Sequence, residues 1–446
     1  MRRRRFLAAL GSAGTAAGAL SFGATPARAH PDGATPAPGD SSVGFDPLDS
    51  VAIRGAKEAV VAGGTLSVAA TDGFVTVDAG DPESLAVLAE RRKPLADREG
   101  GPLSHIYDVA VDGTELLVVG PAHHASGLSG AARYDVSDPA DPTLLDFYST
   151  TYPIHNADIE NGVAYLTAND GARAELEIVD VAAGEVLAAW SAIDVDAAWG
   201  DLASPVRAVH DVTVRDGRAY VAHWDAGTWV LDVSDPSDPT PLHSTYPREP
   251  GEAPRSPPVE TVELPGNSHY VDTNGTVIAV GREAWDSPAD EESVGGPGGI
   301  DLYDTSLSQV GAIPAPPTVD PTRSGTWTTA HNFAFDGDVL YSSWYQGGVR
   351  IHDVSDPETP VELASWRDSG WAFWTAVRGP ESILAPAFEP GNRLNGRVFA
   401  LSIPDSVSSV SSTTTGTPVT DSGGTDGFGL LAALGGVGAL AALRRR

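Results

Sequence analysis

The stretch from Trp229 to Thr240, WVLDVSDPSDPT, is a β-branched and aromatic run that ends in two Asp-Pro pairs. Its core recurs as YDVSDPADPT from Tyr134 and as HDVSDPETP from His352. Such a run is typical of a strand entering a tight turn, because proline presets φ and aspartate hydrogen-bonds the backbone that follows. Three copies of one strand ending indicate that the chain is built from internal repeats.

The repeat unit is longer than this strand ending. Residues 208–245, AVHDVTVRDGRAYVAHWDAGTWVLDVSDPSDPTPLHST, divide into four short strands separated by the turns RDG, DAG and SDPSDP. Four antiparallel strands in a meander form one blade of a β-propeller. Similar units begin at Glu58, Ile106, Ile154, Ser268, Ala330 and Phe373. We therefore predict an all-β, seven-bladed β-propeller over residues 43–405, with six or eight blades as the alternatives.

The two ends of this region predict how the ring closes. The last unit has no fourth strand, and residues 43–53, VGFDPLDSVAI, have no place in the first unit. We predict that this N-terminal segment pairs with the last blade and completes it. Closing the ring in this way protects the strand edges that an open sheet would expose.

The third strands carry a family resemblance. They read WVLDVSDP, VRIHDVSDP, LEIVDV and FVTVDAGDP, and they resemble the LVIVD-repeat family of β-propellers. The resemblance covers roughly residues 45–405. It implies the propeller fold and says little about activity.

Composition excludes several classes of function. The chain has 446 residues, a formal net charge of −32 and no cysteine. The charge disfavours nucleic acid as a partner, and the lack of cysteine excludes disulfides and thiolate chemistry. Only two lysines occur, Lys57 and Lys93. An acidic, lysine-poor surface is typical of a halophilic archaeon, in which high salt screens the repulsion.

The N-terminal segment predicts export. Residues 1–29 begin with four arginines followed by Phe6 and Leu7, and they end in Ala-Arg-Ala after a small-residue stretch. This pattern resembles a twin-arginine signal peptide, which directs export of folded proteins. Residues 30–42 are predicted to be a disordered linker.

The C-terminal segment predicts attachment to the cell surface. Residues 406–426 are rich in Ser, Thr and Gly, and this composition indicates a stalk outside the packed core. Residues 427–446 hold a short apolar run and three terminal arginines, and they resemble the archaeal PGF-CTERM sorting segment. We expect the protein on the extracellular face of the membrane. The sequon at Asn274 is a candidate glycosylation site.

Histidines recur at one place in the repeat. The first strand of a blade lines the central channel, and four units begin that strand with His155, His210, His269 or His331. His105 lies two residues before the matching Tyr107, so strand alternation predicts the same side for it. The other units offer Lys57 or Glu58, and Trp371, Phe373 or Trp374.

Loops that join the second and third strands should decorate the same face, together with the insertions at 246–259 and 313–324. Candidate ligand-binding residues there, together with one aromatic from the last unit, are His123, His124, Asp170, His223, Trp224, Asp225, Glu283, Trp344 and Trp371.

Converging imidazoles beside carboxylates suit Zn²⁺, Cu²⁺ or Fe²⁺. Asn156, Asp211 and Asn332, which follow three of the histidines, are candidate partners that would orient the rings, although alternation points them away from the channel. The alternative is that the histidines are structural, because duplicating a repeat duplicates its residues and an imidazole can simply bond a neighbouring blade.

Three functions follow from these features. The first is a surface-anchored propeller whose His-lined face binds an extracellular protein, a glycan, a small molecule or a metal. The second is an extracellular enzyme, such as an oxidase or a hydrolase, that uses a histidine-held metal. The third is a structural component of the cell envelope.

Overall fold

A computed structural model describes residues 45–407 and residue 410, except residues 124–125, 172, 252–263 and 287–295. The predicted signal peptide, the linker, the C-terminal segment and almost all of the stalk lie outside the described residues. Within the described ranges, no helix has the length and apolar character needed to cross a membrane.

The described chain forms seven antiparallel sheets, which are the blades of a β-propeller. Strand β1 (Pro47–Ala52) precedes the first complete blade. Blade 1 contains β2 (Ala59–Ala62), β3 (Thr65–Ala69), β4 (Gly73–Asp78) and β5 (Ala86–Arg92). Blade 2 contains β6 (Val109–Asp112), β7 (Glu115–Gly120), β8 (Gly130–Asp135) and β9 (Thr143–Ser149). Blade 3 contains β10 (Ile154–Glu160), β11 (Val163–Ala168), β12 (Glu175–Asp180) and β13 (Glu185–Trp190).

The second half of the ring repeats this pattern. Blade 4 contains β14 (Asp211–Arg215), β15 (Arg218–Ala222), β16 (Thr228–Asp232) and β17 (Thr240–Thr245). Blade 5 contains β18 (Ser268–Thr273), β19 (Ile278–Arg282), β20 (Ile300–Tyr303) and β21 (Gln309–Ile313). Blade 6 contains β22 (Phe333–Asp336), β23 (Val339–Ser343), β24 (Val349–Asp353) and β25 (Val361–Trp366). Blade 7 contains β26 (Ala372–Phe373), β27 (Val377–Arg378), β28 (Ile383–Glu389) and β29 (Asn392–Leu401).

Three short helical segments connect blade 3 to blade 4. They are the α-helix α1 (Ala192–Val195) and the 3₁₀ segments Ala197–Asp201 and Ser204–Arg207. Ser191 caps α1 with its side chain, and the buried Trp199 anchors the segment to the apolar core between these blades.

Strand β1 closes the ring. It pairs antiparallel with β29, with Ser50 opposite Phe399 and Val51 opposite Val398. The last blade is therefore built from both ends of the propeller region, as the unmatched N-terminal segment predicted. The seven blades and this closure confirm the predicted fold class.

The core lies between the blades. The middle strands are buried on both faces because each blade packs against a neighbour on either side, and β4 and β16 are buried along nearly their whole length. This is why the third strands read as continuous apolar runs rather than alternating ones. The fourth strands face solvent, and β17 is exposed through all but its last residue.

The repeated DVSDP segment is a turn, as predicted. The Asp232 carboxylate accepts hydrogen bonds from the backbone N–H of Ser234 at 3.0 Å and from its hydroxyl at 2.6 Å. Asp135 and Asp353 accept the same backbone bond from the residue two positions on, at 2.8 and 2.9 Å. The aspartate thus ends the third strand in each copy.

Buried and half-buried carboxylates also join neighbouring blades around the channel. Each accepts a backbone N–H from the first strand of the following blade. The pairs are Asp108 with Ala157 at 2.7 Å, Asp158 with Val214 at 2.6 Å, Asp211 with Val271 at 2.9 Å and Asp272 with Phe335 at 3.0 Å.

We expect Asp272→Ala to lower the free energy of unfolding by about 1–3 kcal/mol, because it leaves the Phe335 N–H without its acceptor. Denaturant unfolding in high salt measures the change. Asp97→Ala, at an exposed loop position, is the control and should shift stability by less than about 0.5 kcal/mol. Equal effects of the two substitutions would contradict a clamping role for Asp272.

Candidate functional site

The first strands of the seven blades begin around the top of the channel. The residue at the matching place in each blade is Lys57, Tyr107, His155, His210, His269, His331 or Trp374. The four histidine rings form a continuous row, with centroids 4.5 Å apart from His155 to His210, 3.9 Å from His210 to His269 and 5.2 Å from His269 to His331. The structure therefore brings together the four histidines that the blade alignment selected.

The fifth imidazole comes from a loop rather than from a first strand. The His123 ring lies 5.1 Å from the His155 ring and lines the same pocket. His105, which alternation placed on this side, is instead exposed and does not line the pocket. Its φ of +50° breaks the extended backbone, and regular strand β6 begins only at Val109. His124 lies outside the described residues.

Three histidines in the row use Nδ1 to bond a neighbouring blade. The acceptors are the backbone carbonyls of Ala122 for His155, of His269 for His210 and of Trp374 for His331, at 3.1, 2.8 and 2.6 Å. A carbonyl oxygen can only accept, so each Nδ1 carries the hydrogen. In the neutral ring, Nε2 then keeps its lone pair, which is the form that ligates metals.

Residues that follow these histidines do not orient the rings. The Asn156 side chain donates to the Asp211 carboxylate at 2.8 Å, and the Asn332 side chain donates to Glu58. The expectation that Asn156, Asp211 and Asn332 partner the imidazoles is therefore wrong, because backbone carbonyls take that place. Strand alternation directs these polar groups to the cavity below and to neighbouring blades.

Glu283 completes a compact group of possible metal ligands. One ligand atom from each of His269, Glu283 and His331 lies within 4.8 Å of the other two, and all three residues are buried. The Nε2 atom of His269 lies 3.2 Å from a Glu283 oxygen, and the Tyr345 hydroxyl donates to the other Glu283 oxygen at 2.5 Å.

Burial controls the charges of this group. Burial pushes the pKa of Glu283 upward, but the charge and hydrogen bond of His269, the nearby His331 and the Tyr345 hydroxyl together lower it to about 2. Burial is also the main reason that the pKa values of His155 and His331 fall to about 3. A carboxylate thus stands beside the neutral imidazole of His331, and both groups are in the protonation state that binding a cation requires.

Two residues in left-handed backbone conformations bring aromatic rings onto this row. Trp224 has a φ of +40° and stacks on His210 with centroids 6.0 Å apart, and Tyr345 has a φ of +48° and lies 4.5 Å from His331. Non-glycine residues rarely adopt this conformation, which concentrates at functional sites. Each belongs to the loop between the second and third strands, where Gly227 or Gly348 follows at positive φ.

Tyr345, not Trp344, lines the pocket. Trp344 is fully buried in the core between blades 5 and 6, where its indole N–H donates to the Ser342 hydroxyl. Trp371 likewise packs on Phe399 in the core of blade 7, and Trp374 lines the pocket in its place. Trp344 and Trp371 therefore do not line the pocket, whereas Trp374, which the sequence offered beside Trp371, does.

The remaining predicted residues are separate from the pocket. His223 is buried behind it, 6.4 Å from the Trp190 ring. Asp225 is also buried, accepts the Asn267 backbone N–H at 2.9 Å, and has a pKa that burial raises to about 6. Asp170 is exposed and accepts the Arg173 backbone N–H at 3.0 Å.

Asn274 lies on the opposite face, in the turn between β18 and β19. Its side-chain nitrogen donates to the Gly337 carbonyl at 3.0 Å. Glycosylation at Asn274 stays a prediction.

Sequence reasoning missed the outer part of the pocket. Arg323, Trp327 and Arg393 line it together with Trp285. Arg323 falls within the insertion at 313–324 that was expected to decorate this face, and Trp327 follows that insertion directly. The aromatic and cationic composition of the hairpin around Arg393 is the signal that could have indicated Arg393.

A second and larger cavity occupies the channel below the histidines. Its volume is about 420 Å³, and its acidic lining residues are Glu58, Asp108, Asp158, Asp211, Asp272 and Asp336. Burial raises the pKa of Glu58 and of Asp158 to about 7, and that of Asp211 to about 8. The channel therefore has a layer of imidazoles above a cavity in which the carboxyl groups of Glu58, Asp158 and Asp211 bind protons near neutral pH.

The comparisons with known proteins define the class. Residues 206–246, which include all of blade 4, match the LVIVD repeat family. Of the solved structures, the RRP9 WD40 repeats share 11% identity at a TM-score of 0.55, over 82% of this chain and 99% of that one. The WD40 β-propeller domain of Doa1 shares 10% identity at a TM-score of 0.50, over 81% of this chain and 98% of that one.

At these identities the solved structures show the fold alone. The protein is a β-propeller that carries an LVIVD repeat. No curated protein is significantly similar to it in sequence.

Between pH about 4 and about 8, we expect the raised pKa values of Asp158 and Asp211 to make the free energy of unfolding fall as pH rises, because the folded protein holds protons that the unfolded chain has lost. The stabilisation that these carboxyl groups provide is complete below pH about 4. It is lost as pH rises through their pKa values in the folded protein. Lys57 acts in the opposite sense above pH about 7, because burial lowers its pKa to about 7. The buried histidines also act in the opposite sense, but only below pH about 6.5.

Denaturant unfolding at constant salt, compared at pH about 7 and about 8.5, measures this slope. Asp211→Asn should reduce the slope, because it removes one of the titrating groups, and Asp97→Asn should leave it unchanged. Equal slopes in the native protein and in Asp211→Asn would refute the prediction.

Proposed function

We propose that this protein is a metal-binding β-propeller that holds one divalent transition metal, Zn²⁺, Cu²⁺ or Fe²⁺, at the mouth of its channel through His269, Glu283 and His331. The observation that carries the proposal is the convergence of their ligand atoms within 4.8 Å in a buried pocket. Imidazole and carboxylate are the donors that these metals take in proteins.

The spacing suits a tetrahedral centre. Ligands about 2.0–2.1 Å from one metal ion lie roughly 3.3 Å from each other. The His269 Nε2 to Glu283 separation of 3.2 Å matches that value. A ligand atom of His331 lies within 4.8 Å of the other two.

The surroundings support the same conclusion. The Nδ1 bond from His331 to the Trp374 carbonyl fixes the ring and its tautomer, and the Tyr345 hydroxyl holds Glu283. Metal-ligating groups are commonly held by such outer hydrogen bonds. A purely structural row of histidines would need only the backbone bonds, and it would not explain a buried carboxylate beside Nε2 of His269.

Three protein ligands leave one tetrahedral position open, which is the arrangement of catalytic rather than structural zinc sites. A metal-dependent oxidase or hydrolase is therefore the second candidate function.

In either case we place this face outside the cell, with residues 1–29 directing export and residues 427–446 holding the protein at the membrane.

Elemental analysis after folding in high salt should find one transition metal per chain. His269→Ala, His331→Ala and Glu283→Gln should each lose it, because each removes one of three ligands. His105→Ala is the matched control and should retain the metal, because His105 lies outside the pocket. A native protein without stoichiometric metal, or equal retention in all four variants, would refute the proposal.

Replacing Arg2 to Arg5 by lysine should leave the protein inside the cell, because twin-arginine export depends on the arginine pair. Fractionation and immunoblotting of cells measures the distribution. Unchanged surface display of the lysine variant would contradict this route of export.

A further inference from the structure

The mouth of the His-lined pocket is positively charged in a strongly acidic protein. Arg323 and Arg393 both line it, although the chain carries a net charge of −32. The Arg323 guanidinium lies 5.1 Å from the Trp285 ring centroid, and that of Arg393 lies 5.6 Å from the Trp327 centroid. Stacking on indole rings positions a guanidinium while leaving its N–H groups able to donate.

Arg393 contributes a cation to this mouth. Among the described residues, it forms no ion pair with a carboxylate, and it is partly buried. Arg393 and His331 line the same pocket. Placing a metal ion in the same pocket adds further positive charge, and partly buried like charges repel strongly unless an anion lies between them.

An unused hydrogen-bond donor points to the same kind of ligand. Trp285 lines the pocket and is 2% exposed, and its buried indole N–H has no hydrogen-bond partner among the described residues. A buried donor without an acceptor costs free energy, so it indicates an acceptor that arrives with a ligand. The indole N–H and the guanidinium groups can only donate.

We propose that the pocket binds a small oxyanion, with one oxygen on the metal and another on Arg393 and the Trp285 N–H. This inference rests on the proposed metal centre. The cavity volume of about 40 Å³ limits the ligand to a few non-hydrogen atoms. A guanidinium group matches the planar, two-oxygen geometry of a carboxylate best. We therefore infer that the ligand is a short-chain carboxylate, and phosphate is the alternative oxyanion.

The test uses full-length protein loaded with Co²⁺, whose visible absorption reports a change of ligand at the metal. Oxalate and inorganic phosphate are titrated separately, with chloride held constant because it is itself an anion. We expect saturable spectral changes and tighter binding of oxalate. Arg393→Met and Trp285→Phe should each raise the dissociation constant for oxalate by about tenfold or more while retaining the metal.

Arg91→Met is the matched control, because Arg91 lies on an outer strand and pairs with Asp141; its oxalate affinity should be native. Native affinity in Arg393→Met, or no spectral response to either anion in metal-loaded protein, overturns the inference. Failure to bind Co²⁺ overturns the proposed function instead. In that case, calorimetric binding of oxalate to the metal-free protein that is lost in Arg393→Met would still support the anion site.

Discussion

The pairing of β1 with β29 is the constraint on which the rest of the molecule depends. Five residue pairs, between Pro47–Ala52 and Arg397–Leu401, close seven sheets into a ring. Closure fixes the circumference, so the first strand of every blade must lie next to the channel. Imidazoles that are about 60 residues apart along the chain, such as those of His210 and His269, then lie in contact.

The channel that results is divided chemically along its length. Imidazoles surround its mouth, and carboxyl groups line the cavity below. The same first strands supply both layers, and both also join the blades: imidazole Nδ1 atoms donate to backbone carbonyls, and carboxylates accept backbone N–H groups. The residues that join the blades are thus also those that place imidazole groups at the mouth of the channel and carboxyl groups below it.

Much of this arrangement was predictable. The blade units, the N-terminal strand that completes the last blade and the selection of His155, His210, His269 and His331 follow from repeat alignment, because equivalent positions in a repeat take equivalent places around the axis. The errors fall where the backbone leaves the repeat. His105 and Tyr345 both have positive φ, which departs from the extended backbone of a strand. His105 therefore lies outside the pocket, and Tyr345 rather than Trp344 lines it.

The sequence by itself determined the class of fold, the closure of the ring and the four histidines that meet at its axis, since these depend on periodicity and on turn residues that act locally. Only the tertiary structure decided that Glu283 pairs with His269, that His123 provides the fifth imidazole, and that Arg323 and Arg393 stand over the tryptophans at the mouth. These contacts join loops from different blades. Their geometry depends on the conformation of irregular backbone and on distances across the channel, which no local pattern of residues encodes.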